Sequence, residues 1–202
     1  MADFMRDLPL SWRPRDDEHT VTSDWREALA DVLDAAAAAL DAARRPAGPD
    51  AESDAPTLDA AELERLTEPL IRAAAPRHGL FEAPAPAPSV GDTDLRELAR
   101  TTRSGRKVSV RSLSRAVAAY LALARALGAT PVLAHRTSGA VALYLAATAH
   151  TPIRAVISGH TLHATDAGWT FGRGPTLEAE AVPMVEFLAG QSLIAPRAAS
   201  AR

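Results

Sequence analysis

The sequence predicts an α+β fold, in which a helical, bundle-like first half precedes a small mixed α/β domain with a hairpin and a terminal helix. Apolar residues recur at helical spacing up to Gly128, whereas the segments that follow are short, β-branched and partly alternating. Helices that come before strands along a chain are typical of the α+β class. A chain of 202 residues can hold one ordinary domain or two small ones.

The chain divides into segments by composition. We expect an N-terminal arm at residues 1–21, a helical domain at 22–128, a small α/β domain at 129–191 and a C-terminal tail at 192–202. Alternating prolines at 83–89 predict a semi-rigid spacer inside the helical domain. The arm carries several large apolar residues, so we expect it to dock on the body of the protein, on a second copy or on a protein partner.

Four helices are predicted in the helical domain. The first follows a capping residue among 22–24 and ends near Arg44, before a cluster of proline and glycine. The second lies in "PTLDAAELERLTEPLIRAAAP", where Pro69 predicts a kink. The third is the short "DTDLRELART". The fourth starts near Val110 and is closed by Gly128 as its C-terminal cap.

Strands are predicted after Gly128. "TPVLAHRT" and "TPIRAVIS" are proline-led and β-branched, which favours strands. Residues 139–150 alternate like a strand but are rich in alanine like a helix, and we favour the strand. "ISGHTLHATDAGWTFGRGP" predicts strand, tight turn and strand, with Asp166 bonding the turn backbone and Gly168 left-handed. A further strand and a helix around 184–188, capped by Gly190, complete the domain.

Composition excludes several classes of chemistry. The absence of cysteine excludes disulfides, thiolate nucleophiles and cysteine-ligated zinc. A net charge of -3 limits nucleic-acid binding to a local basic patch. No apolar run reaches the length of a membrane span and the first residues do not have the order of a signal peptide, so we expect a cytoplasmic protein without membrane contact. Phosphate-binding glycine loops and a nucleophile elbow are also missing.

Two groups of residues are candidates for binding. The first is a ligand-binding candidate in the predicted hairpin, made up of His160, His163, Trp169 and Arg173. Histidines three apart on a strand point to opposite faces, so we expect them neither to share a metal ion nor to be catalytic. Alternating aromatic residues beside a glycine turn favour a hairpin core over a ligand platform. The sequence does not identify a cofactor.

The second group is a basic run that could bind an anion at the start of a helix. Its members are Arg103, Arg106, Lys107, Arg111 and Arg115. Cations there oppose the helix dipole, whereas a bound anion would be stabilised by both the dipole and the side chains. The alternative, which we favour, is that neighbouring carboxylates such as Asp94 and Glu97 neutralise the run.

The segment "RAVISGHTLHATDAGWTFGRGPTLEAEAVPMVEFLAG" resembles the C-terminal part of the maleylpyruvate-isomerase-like (mycothiol-dependent) family, through its Ala-Thr-Asp, its tryptophan, its Gly-x-Gly-Pro and its closing apolar helix. The resemblance covers residues 154–190. It implies a DinB-like helical bundle before a small domain similar to SCP2-like sterol-carrier folds. The resemblance implies a metal site built from histidines within the bundle. Here, however, residues 20–134 contain only one histidine, His78. The resemblance therefore implies that the metal-dependent activity is missing.

Two functions follow as hypotheses. The first is a noncatalytic protein that binds a small molecule, an anionic ligand or a protein partner and is related to the maleylpyruvate-isomerase-like family without its histidines. The alternative is a regulatory or nucleic-acid-binding module that uses the basic helix start at 103–115, with binding that falls steeply as salt rises. The overall acidity of the chain places the second behind the first.

Overall fold

The computed structural model describes residues 24–44, 59–75 and 94–199, which contain seven helices and a four-stranded mixed sheet. The predicted α+β class is confirmed, because helices come first and a small sheet with a final helix follows. The N-terminal arm, the spacer at 83–89 and the end of the C-terminal tail lie outside the described residues.

The four predicted helices of the first half are present. They are α1 (Arg26–Arg44), α2 (Ala60–Ala74), α3 (Leu95–Ser104) and α4 (Val110–Ala126). Their apolar stripes are buried, and α4 packs against both α1 and α2. Carboxylates cap two of them, since Asp59 accepts from the N–H of Glu62 at 2.7 Å and Asp94 accepts from the N–H of Arg96 at 2.8 Å. Pro69 lies inside α2, as predicted.

The strands predicted between residues 131 and 158 are wrong. The chain instead forms a loop to Ala134, α5 (His135–Thr148) and α6 (Thr151–Ile157). In α5 the buried or half-buried residues Ser138, Val141, Ala142 and Leu145 recur at helical spacing. The alanines of α5 favour a helix, and Pro152 suits the first turn of α6, where a backbone N–H has no helical partner.

The predicted hairpin and terminal helix are confirmed. The strands are β1 (Thr161–Ala164), β2 (Thr170–Gly172), β3 (Thr176–Ala179) and β4 (Arg197–Ala198), in the order β2-β1-β3-β4. The β1–β3 pair is parallel and the other two are antiparallel. The last helix is α7 (Ala181–Leu188), and Gly168 and Gly190 adopt positive φ angles as predicted.

Asp166 has a different role from the one predicted. Its Oδ1 accepts from the N–H of Ala181 at 2.7 Å, at the start of α7. Its carboxylate therefore joins the hairpin turn to the terminal helix and satisfies one of the free amides of that helix.

The Gly-Arg-Gly-Pro segment is the connection from β2 to β3, and it passes across the start of β1. The N–H of Thr161 donates to the carbonyl of Pro175 at 2.9 Å. Gly172 and Gly174 both have positive φ, and a Cβ at either would collide with the backbone carbonyl of His160 or Gly159. Glycine is required at both positions because the two backbone segments lie in direct contact.

One continuous hydrophobic core joins the two halves of the described structure. It extends from Leu29 in α1 through α4 to Leu162 in β1 and Leu188 in α7. Arg125 of α4 adds a polar link, because its guanidinium contacts the Glu186 carboxylate of α7 at 2.5 Å. The boundary at residue 129 between two domains stays a prediction.

Candidate ligand-binding site

The five residues of the basic run occupy three different elements. Arg103 lies in the last turn of α3, Arg106 and Lys107 lie in the connecting loop, and Arg111 and Arg115 lie on α4. The predicted single cluster at one helix start is therefore divided. Only the loop pair and Arg111 lie near the N-terminus of α4.

Arg103 is bound to carboxylates of α1. Its guanidinium contacts Asp34 at 2.8 Å, Asp31 at 2.9 Å and Glu27 at 3.4 Å. The hydrogen bonds with Asp34 and Asp31 raise the pKa of Arg103 above its usual value. Its position at the C-terminal end of α3 also suits the helix dipole. Arg103 thus has a structural role, because its ion pairs hold α3 against α1.

The prediction that Asp94 and Glu97 neutralise the basic run is wrong. Asp94 caps the N-terminus of α3, and Glu97 forms an ion pair with Arg100 one turn along the same helix. Arg106, Lys107, Arg111 and Arg115 have no hydrogen-bond or ion-pair partner among the described residues.

The loop from Gly105 to Ser109 is fixed by hydrogen bonds to the start of α1. Arg26 donates to the carbonyl of Gly105 at 2.7 Å, and the N–H of Trp25 donates to the carbonyl of Val108 at 3.0 Å. The N–H of Val108 donates to Asp24 Oδ1 at 3.2 Å. Three contacts from one segment hold the backbone of this loop, so Arg106 and Lys107 project from a supported position.

A cavity of about 690 Å³ opens beside this loop, between the end of α2, the end of α3 and the start of α4. Apolar side chains line much of it, chiefly Ala73, Ala74, Leu98 and Val108. The polar residues of the lining are Arg106, Lys107, Thr101, Thr102, Ser109 and Ser112. Arg111 and Arg115 do not line it.

The start of α4 contributes a further polar element to the cavity. Ser109 is its N-cap and accepts from the N–H of Ser112 at 3.3 Å. No acidic side chain occupies the first turn, so the positive end of the helix dipole is not countered by its own residues. A negatively charged group in this cavity would lie near two cations and the positive end of the helix.

The other candidate group in the hairpin does not converge. His163 Nδ1 lies 2.8 Å from Thr170 Oγ1 on one face of the sheet, and His160 Nδ1 lies 3.1 Å from the carbonyl of Ser158. Trp169 faces α5 and stacks on Phe171, with ring centroids 5.5 Å apart. Arg173 is exposed on the β2–β3 connection.

The indole of Trp169 is already used for packing. Its Nε1–H donates to Ser138 Oγ at 3.1 Å, and its ring covers Gly139 so closely that a Cβ there would lie 3.1 Å from the ring. Across the described ranges, no three histidine or acidic side chains are grouped so that they could hold a metal ion. No single helix in those ranges is long and apolar enough to cross a membrane, although α5 and α6 together would be by length and composition, with a bend of 112° between them.

Several lining residues of the cavity were not predicted from the sequence. Ser109, Ser112 and the alanines that end α2 carry no motif, and they meet only because α2 packs on α4. The one sequence signal was the absence of acidic residues after Ser109, at a helix start where they are usual.

Comparisons with family models, with curated proteins and with solved structures find no match to this chain.

Proposed function

We propose that this chain is a noncatalytic binding protein whose cavity between α2, α3 and α4 takes a small amphipathic anion. One observation carries the proposal: the cavity combines an apolar wall with Arg106 and Lys107, two cations that have no partner among the described residues. The anionic group would contact these side chains, and the apolar part would lie against Leu98 and the alanines of α2. Sites of this kind pair an apolar lining with a few convergent polar groups.

The composition of the lining supports a noncatalytic role. Hydroxyl groups are present, but the described lining contains no carboxylate or imidazole that could activate them. The proposal includes kinship with the maleylpyruvate-isomerase-like family without its metal-binding histidines. Stoichiometric zinc or nickel in the purified chain would contradict this part of the proposal.

The test is calorimetric titration with octyl phosphate, inorganic phosphate and octanol. Octyl phosphate should bind most tightly, because each buried methylene adds up to about 0.8 kcal/mol to what the phosphate supplies. Arg106→Gln with Lys107→Gln should weaken binding about tenfold, since exposed charge pairs contribute about 0.2–1 kcal/mol each. At a hundredfold excess over its dissociation constant, the ligand should add about 2.7 kcal/mol of stability.

A control double variant removes the same amount of positive charge away from the cavity. Arg115→Gln with Arg173→Gln removes two exposed cations that do not line the cavity. This variant should bind octyl phosphate like the unaltered chain. If both double variants lose affinity to the same degree, binding depends on net charge alone and the proposed site is wrong.

Nucleic-acid binding remains the alternative, and the surroundings of the basic run disfavour it. Glu27, Asp31 and Asp34 lie on the α1 surface around Arg103, where they would repel a phosphate backbone. Binding of duplex DNA that weakens steeply with salt, and that is lost in the Arg106 and Lys107 variant, would favour the alternative.

A further inference from the structure

We infer that the ligand of this cavity is a zwitterion, whose primary ammonium group donates hydrogen bonds to backbone carbonyls at the end of α2 while its anionic group contacts Arg106 and Lys107. The inference rests on the proposed function and deepens it, because it names the class of molecule that the cavity takes. It is carried by the unpaired backbone acceptors of the helix end that borders the cavity.

The last turn of α2 borders the cavity and has free hydrogen-bond acceptors. Ala73, Ala74 and Ala75 all belong to the lining. The last carbonyls of an α-helix have no intrahelical donor and point beyond its end. Here the N–H of Ala75 donates to the carbonyl of Ile71 at 2.8 Å, whereas the carbonyls of Ala73 and Ala74 have no partner among the described residues.

The basic residue of the same turn is already paired. Arg72 forms an ion pair with Glu68, one turn earlier on the exposed side of α2. The carbonyl end of a helix carries about half a negative charge, which a cation stabilises. An ammonium group of a ligand supplies that positive charge and three N–H donors at once.

The end of α3 also borders the cavity, but its acceptors are in use. The carbonyl of Thr102 accepts from the N–H of Gly105 at 3.2 Å, and the carbonyl of Thr101 accepts from the Ser104 hydroxyl at 3.3 Å. This contrast between the two helix ends assigns the ammonium group to α2.

The two charges of a zwitterion match two different parts of the lining. Arg106, Lys107 and the N-terminal end of α4 favour an anion, whereas the C-terminal end of α2 favours a cation. In a phosphoethanolamine ester the two groups are joined by two carbons, so both contacts are made by one small head group. Its phosphate, placed against the two cations, also offsets their repulsion of the ammonium group.

Calorimetric titration with octyl phosphoethanolamine and octyl phosphocholine tests the inference. The two probes have the same alkyl chain, the same phosphate and no net charge, but only the ethanolamine group has N–H donors. The ethanolamine probe should bind about tenfold more tightly, because hydrogen bonds from a charged donor are strong and a quaternary ammonium makes none. Equal affinities, or tighter binding of the choline probe, would overturn the inference.

A substitution at the end of α2 tests where the ammonium group binds. Ala75 is exposed and lines the cavity, so a longer side chain fits there. Ala75→Lys places an ammonium group of the protein at this helix end, and the preference for the ethanolamine probe should largely disappear. Ala75→Met adds a side chain of similar length without charge and should keep the preference. A preference that is unchanged in Ala75→Lys, or lost equally in both variants, would contradict the assignment to α2.

Octyl phosphate separates this inference from the proposed function, because it has the anion and the alkyl chain but no ammonium group. If it binds, and the two zwitterionic probes bind equally, only the inference is overturned. If it does not bind, and the ethanolamine probe is still preferred over the choline probe, the proposed anion site is overturned and the ammonium contact is supported. Failure of all three probes to bind would overturn both.

Discussion

Ser138 is a buried polar side chain with two hydrogen bonds that link α5 to the hairpin. Its hydroxyl accepts from Trp169 Nε1 and donates to the carbonyl of His135 at 3.0 Å. The residue is fully buried. The indole therefore depends on this one side chain for the position of its N–H.

Ser138→Ala should lower the free energy of unfolding by about 1 kcal/mol. The loss of the acceptor leaves the indole N–H without its partner, and the better helix propensity of alanine offsets part of that cost. Urea unfolding measures the change. Ser104→Ala, at an exposed position at the end of α3, is the control and should change stability by less than about 0.5 kcal/mol. Equal effects would show that the indole contact contributes nothing.

Arg103 shows what local sequence cannot predict about a charged residue. Its partners Asp31 and Asp34 precede it by 72 and 69 residues. Carboxylates neutralise Arg103, but they lie on α1 and are not its neighbours along the chain. Spacing predicts contacts within one helix, whereas contacts between helices depend on how they pack.

At the scale of single elements, α5 shows how an apolar alternation can mislead. Val141, Leu143 and Leu145 alternate as in a strand, yet the side chain of Leu143 is 54% exposed. The true burial pattern follows 3.6 residues per turn, through Ser138, Val141 and Leu145. Helices with strong caps and long apolar stripes were predictable, whereas this one has no capping side chain at Ala134.

The junction between α1 and the loop after α3 depends on the charge of Asp24. Burial raises the pKa of its carboxyl, but hydrogen bonds from the N–H groups of Val108 and Arg26 and the charge of Arg26 together lower it below the ordinary value of 3.8. A carboxyl whose pKa is lower in the folded state than in the unfolded state contributes its full stabilisation of the fold at pH values above its unfolded pKa.

The contribution of Asp24 should therefore be lost as the pH falls through its lowered pKa. Asp24→Asn keeps an acceptor oxygen but cannot titrate. As the pH is lowered below the ordinary pKa of 3.8, the urea concentration at the unfolding midpoint should therefore fall less steeply for this variant than for the unaltered chain. Parallel curves for the two chains across the acid range would contradict a role for the charge of Asp24.

At the scale of the whole molecule, the continuous core predicts one cooperative unfolding transition. Leu29→Ala in α1 and Met184→Ala in α7 remove fully buried side chains from opposite ends of the core. Each should lower stability by about 2–5 kcal/mol. Each should also shift the unfolding of both ends equally, because the ends share one packed interior.

Fluorine NMR of 5-fluorotryptophan protein can follow the two ends separately. Trp25 reports on the start of α1 and Trp169 on the hairpin. The folded-state signals of Trp25 and Trp169 should disappear at the same urea concentration as each other, in the unaltered chain and in each variant. Separate midpoints, with each variant shifting only the nearer signal, would show two independent domains divided near residue 129.

The cavity between α2, α3 and α4 illustrates the limit of prediction at this scale. The cations at its rim were identified from the sequence, since unbalanced charge at a helix start is a local feature. Its apolar wall was not, because alanines at the end of α2 are ordinary helix formers in sequence. Only the packing of the helices brings the two halves of the lining together.

The β2–β3 connection limits which amino-acid substitutions this chain can accept during evolution. Gly172 and Gly174 cannot accept a side chain without moving the backbone of Gly159 and His160, which leads into β1, whereas Arg173 between them is exposed. In a saturation mutagenesis library selected for folded protein, both glycines should remain while position 173 accepts most residues. A Gly-x-Gly-Pro pattern that follows a tryptophan by three residues could therefore identify distant relatives of the hairpin after the rest of the sequence has drifted.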